Sequence, residues 1–260
     1  MNFSYKESFA HKMDEQDSLK KFRNKFHIPP AHQRDQSIYF CGNSLGLQPK
    51  NAEKYIQQEI DNWRLMGVKG HTKGDTPWLP YHELLTDYTS ELVGGLSSEV
   101  VVMNSLTVNI HLLMVSFYRP TNKRYKILIE DHAFPSDRFA LESQVRFHGF
   151  SPDKAIVTMK SRSRKQCITT DEILDYIDRN KDNLAMIFMG GVNYFTGQVF
   201  DMKTVTEAGH SAGCIVGFDL AHGAGNIILE LHDWNVDFAA WCSYKYLNGC
   251  LLYTSDAADE

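Results

Sequence analysis

The chain is predicted to be an α/β protein whose mostly parallel sheet is sandwiched by helices. Short, almost wholly apolar runs such as Lys126–Glu130 (KILIE), Leu184–Met189 and Cys214–Asp219 (CIVGFD) have the make-up of strands buried on both faces. Segments with helical apolar spacing separate them. No internal repeat or low-complexity tract interrupts that alternation.

In chain order, residues 1–35 form a polar N-terminal segment with one amphipathic helical stretch near Asp17–Phe26, stopped by Pro29-Pro30. Ile38–Cys41 reads as a short strand entering the turn Gly42-Asn43-Ser44-Leu45-Gly46. Asn51–Met66 has helical spacing, Gly67–Pro80 is loop, and Tyr81–Leu96 is again helical. The alternation follows: strand Val100–Met103, helix Asn109–Phe117, strand Lys126–Glu130, helix Asp137–Phe147 and strand Ala155–Met159. Helix Thr170–Asn180, opened by Thr169-Thr170-Asp171, precedes strand Leu184–Met189 and helix Met202–Ala212. Strands Cys214–Asp219 and Phe238–Ser243 complete the series.

With 43% hydrophobic, 12% aromatic and 23% charged residues, the 260-residue chain has enough apolar material for a full core. The formal charge of −5 gives no electrostatic reason to expect nucleic acid or an anionic membrane as partner. No run approaches the roughly 18 apolar residues that cross a bilayer, and the charged N-terminus lacks the stretch of a secretory signal. Cys41, Cys167, Cys214, Cys242 and Cys250 are scattered and lack C-x-x-C spacing. They suit thiols in a reducing compartment, with no disulfide framework or zinc site, and the expected location is cytoplasmic.

The strongest chemical signal is Gly217-Phe218-Asp219-Leu220-Ala221-His222 followed by Trp241-Cys242-Ser243-Tyr244-Lys245. One apolar strand ends in an acid, and the next leads into Ser-Tyr-Lys. A buried aspartate needs a cation or hydrogen bonds to offset its desolvation. The protonated ring nitrogen of pyridoxal 5′-phosphate (PLP) is one such cation, and a nearby lysine can form the Schiff base. A plainer reading stays open at this level: Asp219 caps the following helix and Lys245 lies on the surface.

Five segments together resemble the kynureninases, especially animal members: Ile38–Lys50, Asn104–His111, Ala133–Asp137, Gly217–His222 and Asp237–Asn248. They stand in family order, and the likeness runs from about Asp17 to Gly249. The resemblance implies the large domain of fold-type I PLP enzymes over residues 36–249, in the branch shared with class V aminotransferases and cysteine desulfurases. It implies Lys245 as the Schiff-base lysine, Asp219 as the partner of the ring nitrogen, and Asp137 as a second acid near it. Phe134 would stack on the ring, within a Phe134-Pro135-Ser136-Asp137 cofactor motif. Leu106 and Thr107 would hold the phosphate at a helix start, which suits an anion. Tyr244 would bind phosphate and take part in proton transfer, His222 would line the cofactor pocket, and His71 would recognise the substrate's aromatic ring. In isolation Phe134 and Leu106 also read as core residues, His222 as a helix-start histidine, Thr107 as a cap and Ser136 as a turn residue. Gly190 departs from the pattern, standing where a small hydroxyl residue is expected.

The implied activity is hydrolysis of L-kynurenine or 3-hydroxykynurenine to anthranilate or 3-hydroxyanthranilate plus L-alanine, by a homodimer without metal. The alternatives are another fold-type I PLP enzyme (a desulfurase or aminotransferase) and an inactive fragment. The likeness stops after Gly249, so residues 250–260 read as a foreign tail, with more of the large domain and a small C-terminal domain missing. The 260-residue chain by itself is therefore expected to be unstable or inactive.

Overall fold

The computed structural model describes residues 3–32, 35–162 and 167–249; the expected tail at 250–260 lies outside them. Helices α1 (Glu7–Gln16) and α2 (Lys20–Arg23) precede α3 (Ala52–Met66) and α4 (Thr86–Val93). The sheet layer then builds as α5 (Leu106–Phe117), β1 (Lys126–Glu130), α6 (Pro135–Phe147), α7 (Pro152–Ala155), β2 (Ile156–Met159) and α8 (Thr170–Asn180). It ends with β3 (Leu184–Gly190), α9 (Met202–Ser211), β4 (Ile215–Asp219) and β5 (Phe238–Ala240).

All five strands are parallel, in the order β2-β1-β3-β4-β5. Strand alternation sends successive side chains to opposite faces, and here both faces are dry. Leu128, Ile187, Met189, Val216 and Phe218 join one buried cluster with Ile173 and Ile177 of α8 and Val205 of α9. Ile127, Ile129, Met186, Phe188 and Phe238 join a second with Ile110 and Met114 of α5 and Leu141 and Val145 of α6. Two apolar layers thus clamp the sheet, which is why its strands read as continuous apolar runs.

Local chemistry sets several boundaries. Thr169 and Glu172 form a reciprocal capping box that starts α8. Gly94 takes the left-handed conformation that ends α4. Gly209 and Gly217 permit close packing: a Cβ on Gly209 would lie 2.4 Å from Val216 Cγ2, and one on Gly217 2.2 Å from the Phe238 ring.

The structure corrects several expected elements. The Asp17–Phe26 stretch holds only the single turn of α2, because Asp17 ends α1 and its carboxylate accepts the Leu19 N–H at 2.8 Å. Ile38–Cys41 is not a strand; Ile38 and Phe40 are 68% and 87% exposed, and no strand among the described residues pairs with them. Val100–Met103 lies outside the sheet and leads through Asn104 (φ 49°) into α5. That helix begins three residues earlier than expected because Ser105 caps it, accepting from Val108 N. Tyr81–Leu96 splits into a 3-10 turn at Tyr81–Leu85 and α4. The loop after α3 contains a 3-10 turn at Gly67–His71, and β5 stops at Ala240.

Gly217→Ala is expected to cost about 1–3 kcal/mol through overpacking against Phe238. A fall in the urea midpoint with an unchanged m-value would show it.

Candidate active site

The chain winds from β1 to β2, then crosses back over β1 to β3 and onward. The carboxyl ends of β1 and β3 are therefore the point where the winding reverses, the usual place for a ligand in an open α/β sheet. The β1–β3 pairing runs only to Leu128 and Ile187, so the two strands are unpaired beyond that point. Glu130, Gly190 and Asp219 stand at the ends of three neighbouring strands, and Gly190 is in register with Asp219. A pocket there is lined by these three with Leu106, Phe134, Ser136, Asp137, Val192, Tyr194, Ala221, His222, Tyr244 and Lys245.

Lys245 is only 9% exposed, although it lies on no regular element. Its backbone is held from far upstream: Gly46 N–H donates to Tyr244 O at 2.8 Å, and Asn248 Nδ2 donates to Leu47 O at 3.0 Å. A Cβ on Gly46 would sit 2.4 Å from Lys245 O, so only glycine lets the two segments meet. Lys245 Nζ lies 3.3 Å from His222 Nε2 and 5.7 Å from the centres of the Phe134 and Tyr244 rings. His222 Nδ1 lies 3.4 Å from Tyr246 Oη. With Nε2 accepting from the lysine, Nδ1 carries the proton and donates to the tyrosine. Burial, then the Lys245 charge, lowers the His222 pKa and favours that neutral ring.

The acids are as deeply set. Asp219 is 7% exposed, Asp137 and Glu130 each 4%. Asp219 Oδ1 accepts from Ala221 N at 2.7 Å, which fixes its carboxylate. Burial pushes the Asp137 pKa well above the ordinary carboxyl value, and the charge of Asp219 and a hydrogen bond with it push the same way. Glu130 is raised to about 7, by burial first and with Asp219 adding to it. One Glu130 oxygen accepts from Gly190 N at 3.0 Å; the other, Oε2, has no partner. Three buried acids, two of them with raised pKa values, and a buried amine nearby make a site able to stabilise a bound cationic ring and to form a bond to a carbonyl carbon.

Of the residues singled out in the sequence, Leu106, Phe134, Ser136, Asp137, Asp219, His222, Tyr244 and Lys245 converge on this pocket. Asp219 is buried beside the pocket and Lys245 is not a surface lysine, which removes the plainer reading of that pair. Pro135 opens α6 beside it, and Thr107 lies in the first turn of α5 rather than in the loop before it. His71 stands elsewhere, exposed on its 3-10 turn with its ring edge-on to Trp78 at 5.4 Å. Sequence reading missed Glu130, Val192, Tyr194 and Ala221. Glu130 carried the signal that revealed Asp219, an acid ending an apolar strand. Tyr194 had none, because it reaches the pocket through a loop, edge-on to Phe134 at 5.1 Å. Among the described residues no group of His, Cys, Asp and Glu could hold a metal ion, and no helix is long and apolar enough to cross a membrane.

The fold has close counterparts. A cystine C–S lyase, C-DES, in complex with cysteine persulfide superposes with a TM-score of 0.67 at 14% identity over 82% of this chain and 54% of its own. The cysteine desulfurase CsdA from Escherichia coli gives 0.66 at 15% identity over 88% and 55%. Residues 83–251 match the family model "Aminotransferase class-V". The chain belongs to the class-V aminotransferase family. Within it, the chain is 54% identical to the kynureninase of Koribacter versatilis over 95% of its length. It is 50% identical to that of Nematostella vectensis over 92%, and 45% identical to that of Rattus norvegicus over 93%. It spans between half and three-fifths of the length of these relatives (58%, 54% and 54%).

Because the Asp137 and Glu130 pKa values are raised in the fold, their protonation contributes stability at low pH. That contribution is lost as pH rises from about 4 through about 7. The urea midpoint of the cofactor-free protein is expected to carry this fall, and Asp137→Asn to lessen it, as paired denaturation series at pH 5 and pH 8 would measure.

Proposed function

We propose that the intact protein is a PLP-dependent hydrolase. It cleaves the β–γ carbon–carbon bond of L-kynurenine, 3-hydroxykynurenine or both, releasing anthranilate or 3-hydroxyanthranilate and L-alanine. The observation that carries this reading is the 45–54% identity to kynureninases over more than nine-tenths of this chain. The pocket chemistry agrees with it, since the buried acids call for a cation and, among the described residues, Lys245 and His222 are the basic groups that line the pocket.

When bound, PLP supplies a carbonyl carbon for the amine and a ring that draws electrons from the substrate's α carbon. Lys245 is the residue that would attach it, and its amine would move the proton at the substrate's Cα. His222, accepting from Nζ, holds that amine in place. Asp219, pinned by Ala221 N, keeps the ring nitrogen protonated, and Asp137 supports it from α6. Phe134 packs on the ring face. The first turn of α5, with Leu106 and Thr107 at the positive end of the helix, would receive the phosphate. Pro135 and Ser136 shape the same rim from α6. Tyr244 binds phosphate and serves as an acid/base group. Overall, water gives its hydroxyl to the acyl carbon and a proton goes to Cβ, so the bond breaks without oxidation.

His71 is proposed as a contact to the substrate's aromatic ring, on the strength of the family resemblance alone. Residues 36–249 are proposed as the PLP-binding large domain, residues 1–35 as an N-terminal segment and residues 250–260 as a foreign tail. The whole protein is proposed as a cytoplasmic homodimer. Exposed apolar side chains along α3 (Tyr55, Ile60, Trp63, Leu65) and α5 (Leu112, Val115) support a partner surface.

In the full-length protein, Lys245→Ala is expected to remove the cofactor's long-wavelength absorbance and to lower kcat at least about 10²–10⁴-fold. Turnover of kynurenine at wild-type rate by that variant would sink the assignment. Tyr244→Phe should lower kcat with the absorbance retained, as steady-state kinetics beside a spectrum would record.

A further inference from the structure

Glu130 has no role in the reading above, yet it is one of the most deeply buried charged-type side chains in the protein. It ends β1 at the point where β1 and β3 cease to pair. Oε1 takes the Gly190 N–H at 3.0 Å, doing for the open end of the sheet what a backbone carbonyl does lower down. Gly190 has no side chain to intervene; a Cβ there would sit 3.1 Å from Oε1. The glycine at the end of β3 thus leaves room for a glutamate reaching across from the next strand. The remaining oxygen, Oε2, is buried without any partner. A carboxylate charge left in that position would face Asp219 on β4 and Asp137 on α6, with Lys245 and His222 across the pocket.

We propose that Glu130 is a positioning residue of this site that works as an uncharged carboxylic acid, adding no negative charge beside Asp219 where a cationic ring would bind. With Oε1 accepting from Gly190, the proton resides on Oε2, and the Glu130 side chain closes the switch point without adding a second charge. Asp137 carries the other proton, in its hydrogen bond with Asp219. The raised Glu130 pKa agrees with the geometry: burial is its largest cause and the Asp219 charge adds to it. Ionising Glu130 at higher pH puts a second negative charge beside the ring-binding aspartate, so cofactor binding acquires a pH dependence set by a residue that need not touch the cofactor. The inference rests on the PLP reading for this consequence, but the protonation state itself does not.

The test uses Glu130→Gln, which keeps an acceptor for Gly190 N–H and cannot ionise, and Glu130→Ala, which leaves that N–H orphaned, both in the full-length protein. Infrared difference spectra of the cofactor-free protein, wild type against Glu130→Gln, should contain a protonated-carboxyl carbonyl band at pH 6 that fades as pH rises through about 7. Absence of that band at pH 6 overturns the proposal. With PLP, the affinity measured by absorbance titration should change with pH near 7 in wild type. In Glu130→Gln it should stay within about threefold of the low-pH wild-type value across the range. The same pH transition in both proteins overturns the proposal, as does a tenfold loss of affinity in Glu130→Gln at pH 6. Glu130→Ala should unfold at lower urea while Glu130→Gln does not. Failure of wild type to bind PLP at all would remove the functional reading and leave the infrared result to decide the state of Glu130.

Discussion

Three carboxyl groups and one lysine share a buried pocket at the carboxyl edge of the sheet, and the surrounding structure is arranged to tolerate them. Burying acids without compensation costs several kcal/mol each, so their protons and partners are the governing constraint. Asp219 has a backbone N–H, Asp137 has Asp219, and Glu130 has the Gly190 N–H. The cluster holds a surplus of acid that a cationic ring would balance. That surplus distinguishes a binding site from a satisfied core network.

The frame serves this constraint through close approach. Gly209 and Gly217 let α9 and Phe238 press onto the sheet, so the strands ending in Gly190 and Asp219 sit in a stiff, dry layer. Gly46 does the same for the lysine. It brings an upstream segment against the Tyr244–Lys245 backbone, where any side chain would collide with Lys245 O. The Gly-Asn-Ser-Leu-Gly motif is therefore better understood as a clamp on the lysine loop than as the end of a strand. Tyr39 Oη, donating to Leu45 O at 2.7 Å, holds the turn of that clamp.

The outer surfaces differ from the sheet layer. α3 and α5 leave aromatic and branched side chains in solvent, whereas α8, α9 and the inner faces of α5 and α6 are packed. The chain spans little more than half the length of the kynureninases it matches. Uncovered apolar faces accord with a surface that the rest of a longer protein, or a second subunit, would cover.

The sequence by itself determined the α/β class, strands such as KILIE and CIVGFD, the start of α8 at Thr169-Thr170-Asp171, and the Asp219 and Lys245 signals. These are local: strand composition, helical spacing and caps act within a few residues, so they can be read in order along the chain. Ile38–Cys41 and Val100–Met103 resemble strands for the same reason, since an apolar run carries no record of whether a neighbour exists to pair with it. The strand order, the switch point, and the meeting of Glu130 with Gly190 and of Gly46 with Lys245 were decided only in the tertiary structure. Contacts of that kind join residues 60 to 201 positions apart. Which of them form depends on the packing of the whole sheet and its helices, which no local stretch of sequence specifies.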